Sequence, residues 1–307
     1  MLFRSRICDF DTLTGSLRSL PTRKRVAVVC PGDSHTEYVI RRALEEQTAD
    51  FLLVDGGLTR WNIGEVCRLY PGRVEVRPAA TPDDAARMAV EMVREGHADV
   101  LMKGSINTDN LLRAVLDKER GLLEHGRVMS HVTAIEAPGY SKLLFATDVA
   151  VIPRPTLDQF DAMLRYAVSV CRSLGMAVPR VALLHCTEKV SEKFPHTLSY
   201  EELKRRAREG AYGDVFVDGP MDVKTACDPE SGELKGIKSP VCGNADVLVF
   251  PNIESGNTFY KTMSLFGRAR MAGMLCGTTA PVVVASRADT GDSKYTSLAL
   301  ACLASAE

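Results

Sequence analysis

Residues 25–55, RVAVVCPGDSHTEYVIRRALEEQTADFLLVD, decide the fold. Two short runs rich in β-branched residues, Arg25–Cys30 and Ala49–Asp55, enclose a stretch whose apolar residues repeat at helical spacing. Turn residues separate the three pieces. The pattern is a β-α-β unit, and the continuous Val/Leu runs are those of strands buried on both faces of a parallel sheet. Ser34 with Glu37 three positions on reads as a capping box, which starts the helix at Ser34.

Downstream the same rhythm continues. A short strand, RVEVRP, leads to Thr81-Pro82, a candidate N-cap followed by a first-turn proline. Ala85, Met88, Ala89, Met92 and Val93 then form one apolar helical face, so both methionines are expected in the core. ADVLMKGS is an apolar strand ending in a Lys-Gly-Ser turn, and the helix NTDNLLRAVLDKE follows. From about Gly121 the rhythm changes. HVTAIEA, KLLFATD and VAVIP follow one another too closely to hold helices, which predicts a hairpin-containing region and a domain boundary. Alternation resumes with a helix at 156–174, the strand RVALLHC, a helix at 199–209, the strands DVFVDGP and ADVLVFP, and a helix at 257–275. PVVVASR and a final helix, SKYTSLALACLA, close the chain.

The expected fold class is α/β: two α/β domains with mainly parallel sheets and an interdomain cleft. Residues 1–127 with 277–307 would make a discontinuous first domain, and 128–276 the second. A chain of 307 residues is long enough for two cores. With 38 Lys plus Arg against 39 Asp plus Glu, the charge balance advertises no nucleic-acid partner. No run approaches the roughly 20 apolar residues of a membrane span, and the first residues lack the apolar stretch of a secretory signal, so a cytoplasmic protein is expected. Nine cysteines, an odd number without a CxxC, suit thiols in a reducing compartment.

Ligands of open α/β sheets bind beyond the carboxyl ends of strands, and four such ends carry chemistry. Lys103-Gly104-Ser105, with Thr108 at the helix entrance, combines a cation, a permissive backbone and hydroxyls where an anion would meet a helix N-terminus. It is neither a Walker loop nor GxGxxG. Ser286-Arg287, followed by Asp289 and Asp292, packs a hydroxyl, a guanidinium and two carboxylates between a buried strand and a helix. Arg287 suits bidentate phosphate recognition, and the carboxylates suit either base or cap roles. The third end is PNIESGN, where Asn257 reads as an N-cap with Lys261 one turn on. Asp218-Gly219-Pro220, the fourth, reads as a structural turn. His131, beside Ser130, is the histidine most open to a functional reading. The six histidines lack HxH or HxxxH spacing, which predicts no metal, and no GxSxG elbow is present.

Taken together, LMKGSINTDNLLRAVL, SHVTAIE, KLLFATDVAVIPRPT, VDGP, KGIKSPVCGNADVLVFPNIESGNTFYK and PVVVASRADTGDSKYTSLALA resemble the phosphate acetyl/butyryltransferase family, the butyryl branch more than the acetyl. The resemblance runs from about residue 100 to the end. It implies the equilibrium acyl-CoA plus phosphate with acyl phosphate plus CoA, by direct thiolate attack in a ternary complex. It also implies a fold like that of isocitrate and isopropylmalate dehydrogenases, coenzyme A as substrate, no metal, no tightly bound cofactor, and a homodimer or larger assembly. Ser286 and Arg287 match the family's Ser-Arg pair, and Lys103, Gly104, Ser105 and Thr108 its phosphate-side loop. Ser130, His131, Asn257 and Lys261 are expected at the substrate. The acetyl branch's aspartate base falls on Ser293, leaving its neighbour Asp292 and also Asp289 as candidates. Lys224 stands where the family usually has an aspartate after Gly-Pro, and Asp222 lies two residues early.

Two further readings stay open. A dehydrogenase of the same architecture would need a dinucleotide site, and a non-catalytic sensor would bind acyl-CoA or acyl phosphate without turnover. A cysteine nucleophile is a minor alternative, with His185-Cys186 the one adjacent pair.

Overall fold

The computed structural model describes residues 6–285 and 289–305. These fall into two compact units, one of residues 11–129 with 272–305, the other of residues 6–10 with 130–271. Both are mixed α/β with mainly parallel strands.

In the first unit, α1 (Phe10–Ser16) precedes β1 (Lys24–Val29), α2 (Ser34–Glu45), β2 (Ala49–Asp55), α3 (Ile63–Leu69), β3 (Val74–Pro78), α4 (Pro82–Arg94), β4 (Val100–Lys103) and α5 (Thr108–Val115). β1 pairs in parallel with β2 on one side and β4 on the other, and β2 pairs in parallel with β3. Val26 to Val29 and Phe51 to Val54 are wholly buried, as the apolar runs require.

The N-cap of α2 is Asp33, whose carboxylate accepts from the Thr36 amide, and not Ser34 as expected. Glu37 turns instead to Arg41, 2.8 Å away. Thr81 and Pro82 do open α4. Its buried face, however, is Ala85, Ala86, Ala89, Val90 and Val93, with Met88 and Met92 only half-buried. Small alanines bring the helix close to the sheet and leave the longer thioethers at the margin. α5 stops at Val115, short of the predicted Glu119.

The second unit opens with the antiparallel hairpin of β5 (Ser130–Glu136) and β6 (Leu144–Thr147). VAVIP forms no strand, because Asp148 turns the chain immediately after β6. Next come α6 (Leu157–Ser173), β7 (Arg180–Leu184), α7 (Pro195–Arg208), β8 (Phe216–Met221), α8 (Val223–Cys227), α9 (Pro229–Leu234), β9 (Val247–Val249) and α10 (Ile253–Leu265). β9 lies between β6 and β7, and β8 flanks β7, all in parallel pairs. α7 starts four residues before expectation, at a first-turn proline.

The helix expected at 257–275 is two elements, α10 and then β10 (Arg270–Cys276). Gly267 and Arg268, the latter at φ 49°, stop the helix. Asn257 therefore lies inside α10, and Asn252 is its N-cap. The chain closes in the first unit with β11 (Val282–Val283), antiparallel to β10 and parallel to β4, and α11 (Gly291–Ala304).

Residues 6–10, placed by the sequence in the first domain, pack in the second unit. The cause is a buried carboxylate: Asp246 accepts from Arg6 and Lys142 at 2.6 Å each and from the Arg180 amide at 2.9 Å. The Ile7 amide also donates to the Leu174 carbonyl. Among the described residues, no helix is long and apolar enough to cross a membrane.

Candidate active site

Within the first unit, the carboxyl ends of β1 and β4 meet. The Gly104 amide donates to the Val29 carbonyl and the Ser105 amide to the Cys30 carbonyl, which pulls the turn after β4 against the turn after β1. Gly104 is required by that approach, since a Cβ would stand 2.2 Å from the Cys30 carbonyl oxygen. Lys103 is buried, its ammonium donating to the Gly104 carbonyl at 3.3 Å. Thr108 is the first residue of α5, behind the Asn107 cap.

Asp33 organises this end of the sheet, and the sequence reading did not single it out. One carboxylate oxygen accepts from the Thr36 amide and, at 2.9 Å, from Lys294 of α11. The other accepts from the Thr36 hydroxyl at 2.7 Å and from Ser105 at 3.4 Å. Burial raises the carboxyl's pKa, but the bonds from Thr36 and Lys294 outweigh it and bring the group down to about 2. It is an anion at every physiological pH.

Beside these groups opens a cavity of about 550 Å³, lined by Gly32, Asp33, Ser34, Glu37, Leu58, Arg60, Trp61 and Ser105. The Trp61 indole is fixed by donating to the Pro31 carbonyl. The wall thus combines hydroxyls, the Arg60 guanidinium and an aromatic face with the carboxylates of Asp33 and Glu37 around the amino end of α2.

The predicted Ser286 and Arg287 lie outside the described residues. Asp289, just ahead of α11, is half-buried. Asp292 points away from the cavity: it is 71% exposed and accepts from Tyr38 at 2.7 Å and Arg42 at 2.9 Å, both on α2. Ser293, one position on, gives its amide to the Thr290 cap. Lys294, two positions from Asp292 and so on the opposite side of α11, is the residue that enters the strand-end cluster.

The second unit gathers three of the other predicted residues around one turn. Asp148 is buried, its Oδ2 accepting from the Ser130 hydroxyl at 2.9 Å and the His131 amide at 3.1 Å. Its Oδ1 accepts from the amides of Ala150 and Val151. Asn257 donates to the Val149 carbonyl at 3.0 Å, and Gly256 packs on the Asp148 carbonyl so closely that a Cβ would sit 2.3 Å from it. The hydroxyl of Ser130 and the amide of Asn257 are thereby engaged in holding the 148–151 turn. The His131 ring lies 3.1 Å from the Thr133 hydroxyl. Lys261, one turn beyond Asn257, is exposed, with its ammonium over the Tyr260 ring. Asp218 accepts from the Gly219 amide, Asp222 caps α8, and Lys224 lies largely in solvent.

Comparison with known proteins identifies the family. Residues 74–302 match the family model described as phosphate acetyl/butaryl transferase. The chain is 37% identical over 298 residues to a phosphate butyryltransferase of Clostridium beijerinckii, covering 97% of this chain and 98% of that one. It is 33% identical over 282 residues to a phosphate acetyltransferase of Thermotoga maritima, covering 91% and 95%. A solved branched-chain phosphotransacylase from Enterococcus faecalis V583 superposes with a TM-score of 0.80 at 29% identity, over 92% of this chain and 99% of that one. A match of this extent means that the chain belongs to the phosphate acetyl/butyryl transferase family.

Proposed function

We propose that this protein catalyses reversible transfer of a short acyl group between coenzyme A and phosphate, with butyryl favoured over acetyl. Family membership is the observation that carries the reading. In the direction of acyl-CoA synthesis, the CoA thiolate attacks the carbonyl carbon of the acyl phosphate in a ternary complex. The new C–S bond forms, the C–O bond breaks, and phosphate departs. A thiol of pKa about 8.5 needs a carboxylate to take its proton at neutral pH. Arg287 is assigned to the phosphate and the Ser286 hydroxyl to the oxyanion of the tetrahedral intermediate. Lys103, Gly104, Ser105 and Thr108 are assigned to the phosphate side. Ser130, His131, Asn257 and Lys261 are assigned to the substrate, Ser130 and Asn257 by holding the 148–151 turn.

For the base, Asp292 and Asp289 are the candidates, and the Asp292 carboxylate accepts from Arg42 and Tyr38 on the outer side of α11. Coenzyme A enters as substrate, with no tightly bound cofactor and no metal. The family resemblance also supports an isocitrate/isopropylmalate dehydrogenase-like architecture, a cytoplasmic homodimer or larger assembly, and small molecules as the only substrates.

Thiol release followed with a chromogenic disulfide tests this directly, using acetyl-, propionyl-, butyryl- and isobutyryl-CoA with and without phosphate. The expected result is multiple-turnover release that requires phosphate and is fastest with butyryl-CoA. Continued release without phosphate, well beyond one equivalent per chain, would make the protein a thioesterase. No release under either condition, with acyl-CoA still bound, would make it a sensor.

A further inference from the structure

Away from the strand ends assigned above, three side chains of the second unit form a row at the carboxyl end of β7. Cys186 is exposed, and its sulfur lies 3.7 Å from Nε2 of His185. The other ring nitrogen of His185, Nδ1, lies 3.1 Å from Nε2 of His196 in the first turn of α7. His185 is nearly buried, and Phe194 stands edge-on against it with ring centroids 4.5 Å apart. Tyr200 packs on His196 from the far side. Both imidazoles are therefore held in place by rings and by each other. Burial lowers the pKa of both, so they are neutral at pH 7 and able to accept a proton.

This is the geometry of an activated thiol: a nucleophile, a base within reach of it, and a third group that orients the base. In the tautomer with His185 protonated on Nδ1, that proton is donated to His196, and Nε2 is left to accept from the Cys186 thiol. Among the described residues no group of three His, Cys, Asp or Glu side chains is placed to hold a metal ion. Phe194, 40% exposed, supplies apolar surface next to the thiol's base. A short apolar acyl group on an activated carbonyl matches a nucleophile with such a neighbour.

We propose that Cys186 is a second acyl acceptor, taking the acyl group of a short-chain acyl thioester onto its own sulfur. The choice of acyl-CoA as donor rests on the acyltransferase reading. Cys186 gives its proton to Nε2 of His185 and its sulfur attacks the thioester carbonyl. The Cys186 S–C bond forms, the bond from the acyl carbon to the CoA sulfur breaks, and the departing CoA thiolate takes the proton back from His185. One thioester is exchanged for another, and nothing is oxidised or reduced. The modification lies outside the phosphate-dependent reaction.

The test is intact-mass and peptide analysis of the full chain after incubation with butyryl-CoA in the absence of phosphate. The expected product carries one butyryl group on Cys186, removable by neutral hydroxylamine. Cys8 is an internal reference, since it is also exposed but among the described residues its sulfur approaches a backbone carbonyl, that of Arg6, and no imidazole. Labelling of Cys186 should exceed that of Cys8 by roughly 10-fold or more. His196→Ala should remove most of that advantage, and His196→Gln, which keeps an acceptor for His185, should restore it. Cys186→Ser should lose the label and keep phosphate-dependent thiol release. No butyryl on Cys186, or equal labelling of Cys186 and Cys8, would overturn the proposal. Absence of phosphate-dependent release from the unmodified protein would instead count against the acyltransferase reading alone.

Discussion

The ammonium of Lys294 lies 2.9 Å from Oδ1 of Asp33, joining residues 261 positions apart in the chain. Lys294 is almost wholly buried, whereas Asp33 keeps 30% of its side chain exposed. A buried ammonium needs compensating charge or hydrogen bonds, and a carboxylate supplies both. Asp33 supplies that carboxylate while also capping α2, so one residue ties the first helix of the unit's sheet to its last.

Asp33→Asn separates these two tasks. Asparagine caps a helix as well as aspartate does, so the bond from the Thr36 amide survives. The charge partner of Lys294 does not. We expect a loss of about 2 kcal/mol or more in urea denaturation, with the double variant Asp33→Asn/Lys294→Met recovering part of it. An Asp33→Asn protein as stable as the parent would show that Lys294 finds its neutralisation elsewhere.

The same carboxylate sets an acid window. Folded Asp33 holds its proton only below about 2, against 3.8 for an unperturbed aspartate. Between those values the unfolded chain binds more protons than the folded one, so stability falls as pH falls. The contribution is complete above about pH 4 and lost as pH approaches 2, and it amounts to about 2 kcal/mol. Urea midpoints between pH 6 and 2.5 should therefore converge for the parent and Asp33→Asn. A gap that stays constant with pH would assign the difference to packing.

What could be read in advance follows from the range of the interaction. The β-α-β opening was legible because strands buried on both faces must be continuous apolar runs, and the Lys103–Thr108 turn because its residue types are local. Asp33 was not, since Asp33 and Ser34 are both cap residues and the Ser34–Glu37 spacing pointed to the wrong one. Lys294 looks like any lysine in an N-terminal helical turn, and its burial depends on an aspartate 261 residues away. Asp148 was visible only as the end of a strand. Its partners Ser130 and His131 reach it through hairpin pairing, which no local pattern encodes. Met88 and Met92 were misplaced because helical spacing gives a face but not how closely alanines let that face approach the sheet.

Gly104 should be intolerant of any side chain. A Cβ there would meet the Cys30 carbonyl oxygen at 2.2 Å, and the obstacle is backbone that cannot swing aside. Gly104→Ala is expected to cost about 1–3 kcal/mol and to lower acyltransferase turnover by displacing Lys103 and Ser105. Gly15, exposed in α1 with nothing within 4 Å of an added methyl, is the control. Gly15→Ala should raise stability by about 0.5 kcal/mol through helix propensity. Equal effects of the two substitutions in thermal melts would refute the steric argument.

Asp148 provides the most demanding case, because four donors share one buried carboxylate: the Ser130 hydroxyl and the amides of His131, Ala150 and Val151. In Asp148→Asn one oxygen becomes an NH2 group, which meets donors with a donor. The Ser130 hydroxyl can rotate to accept from it, but a backbone amide has no such freedom. At least one amide is then left without an acceptor, at a cost of about 1–3 kcal/mol. Asp148→Ala removes the acceptor from all four and should be worse, whereas Ser130→Ala, which removes one donor and leaves the buried Thr147 hydroxyl without the oxygen 3.2 Å from it, should cost less than Asp148→Ala. Urea denaturation of the three variants gives the ranking. If Asp148→Asn proved as stable as the parent, the turn that carries Val149 to Asn257 would owe its shape to the packing of Gly256 rather than to this carboxylate.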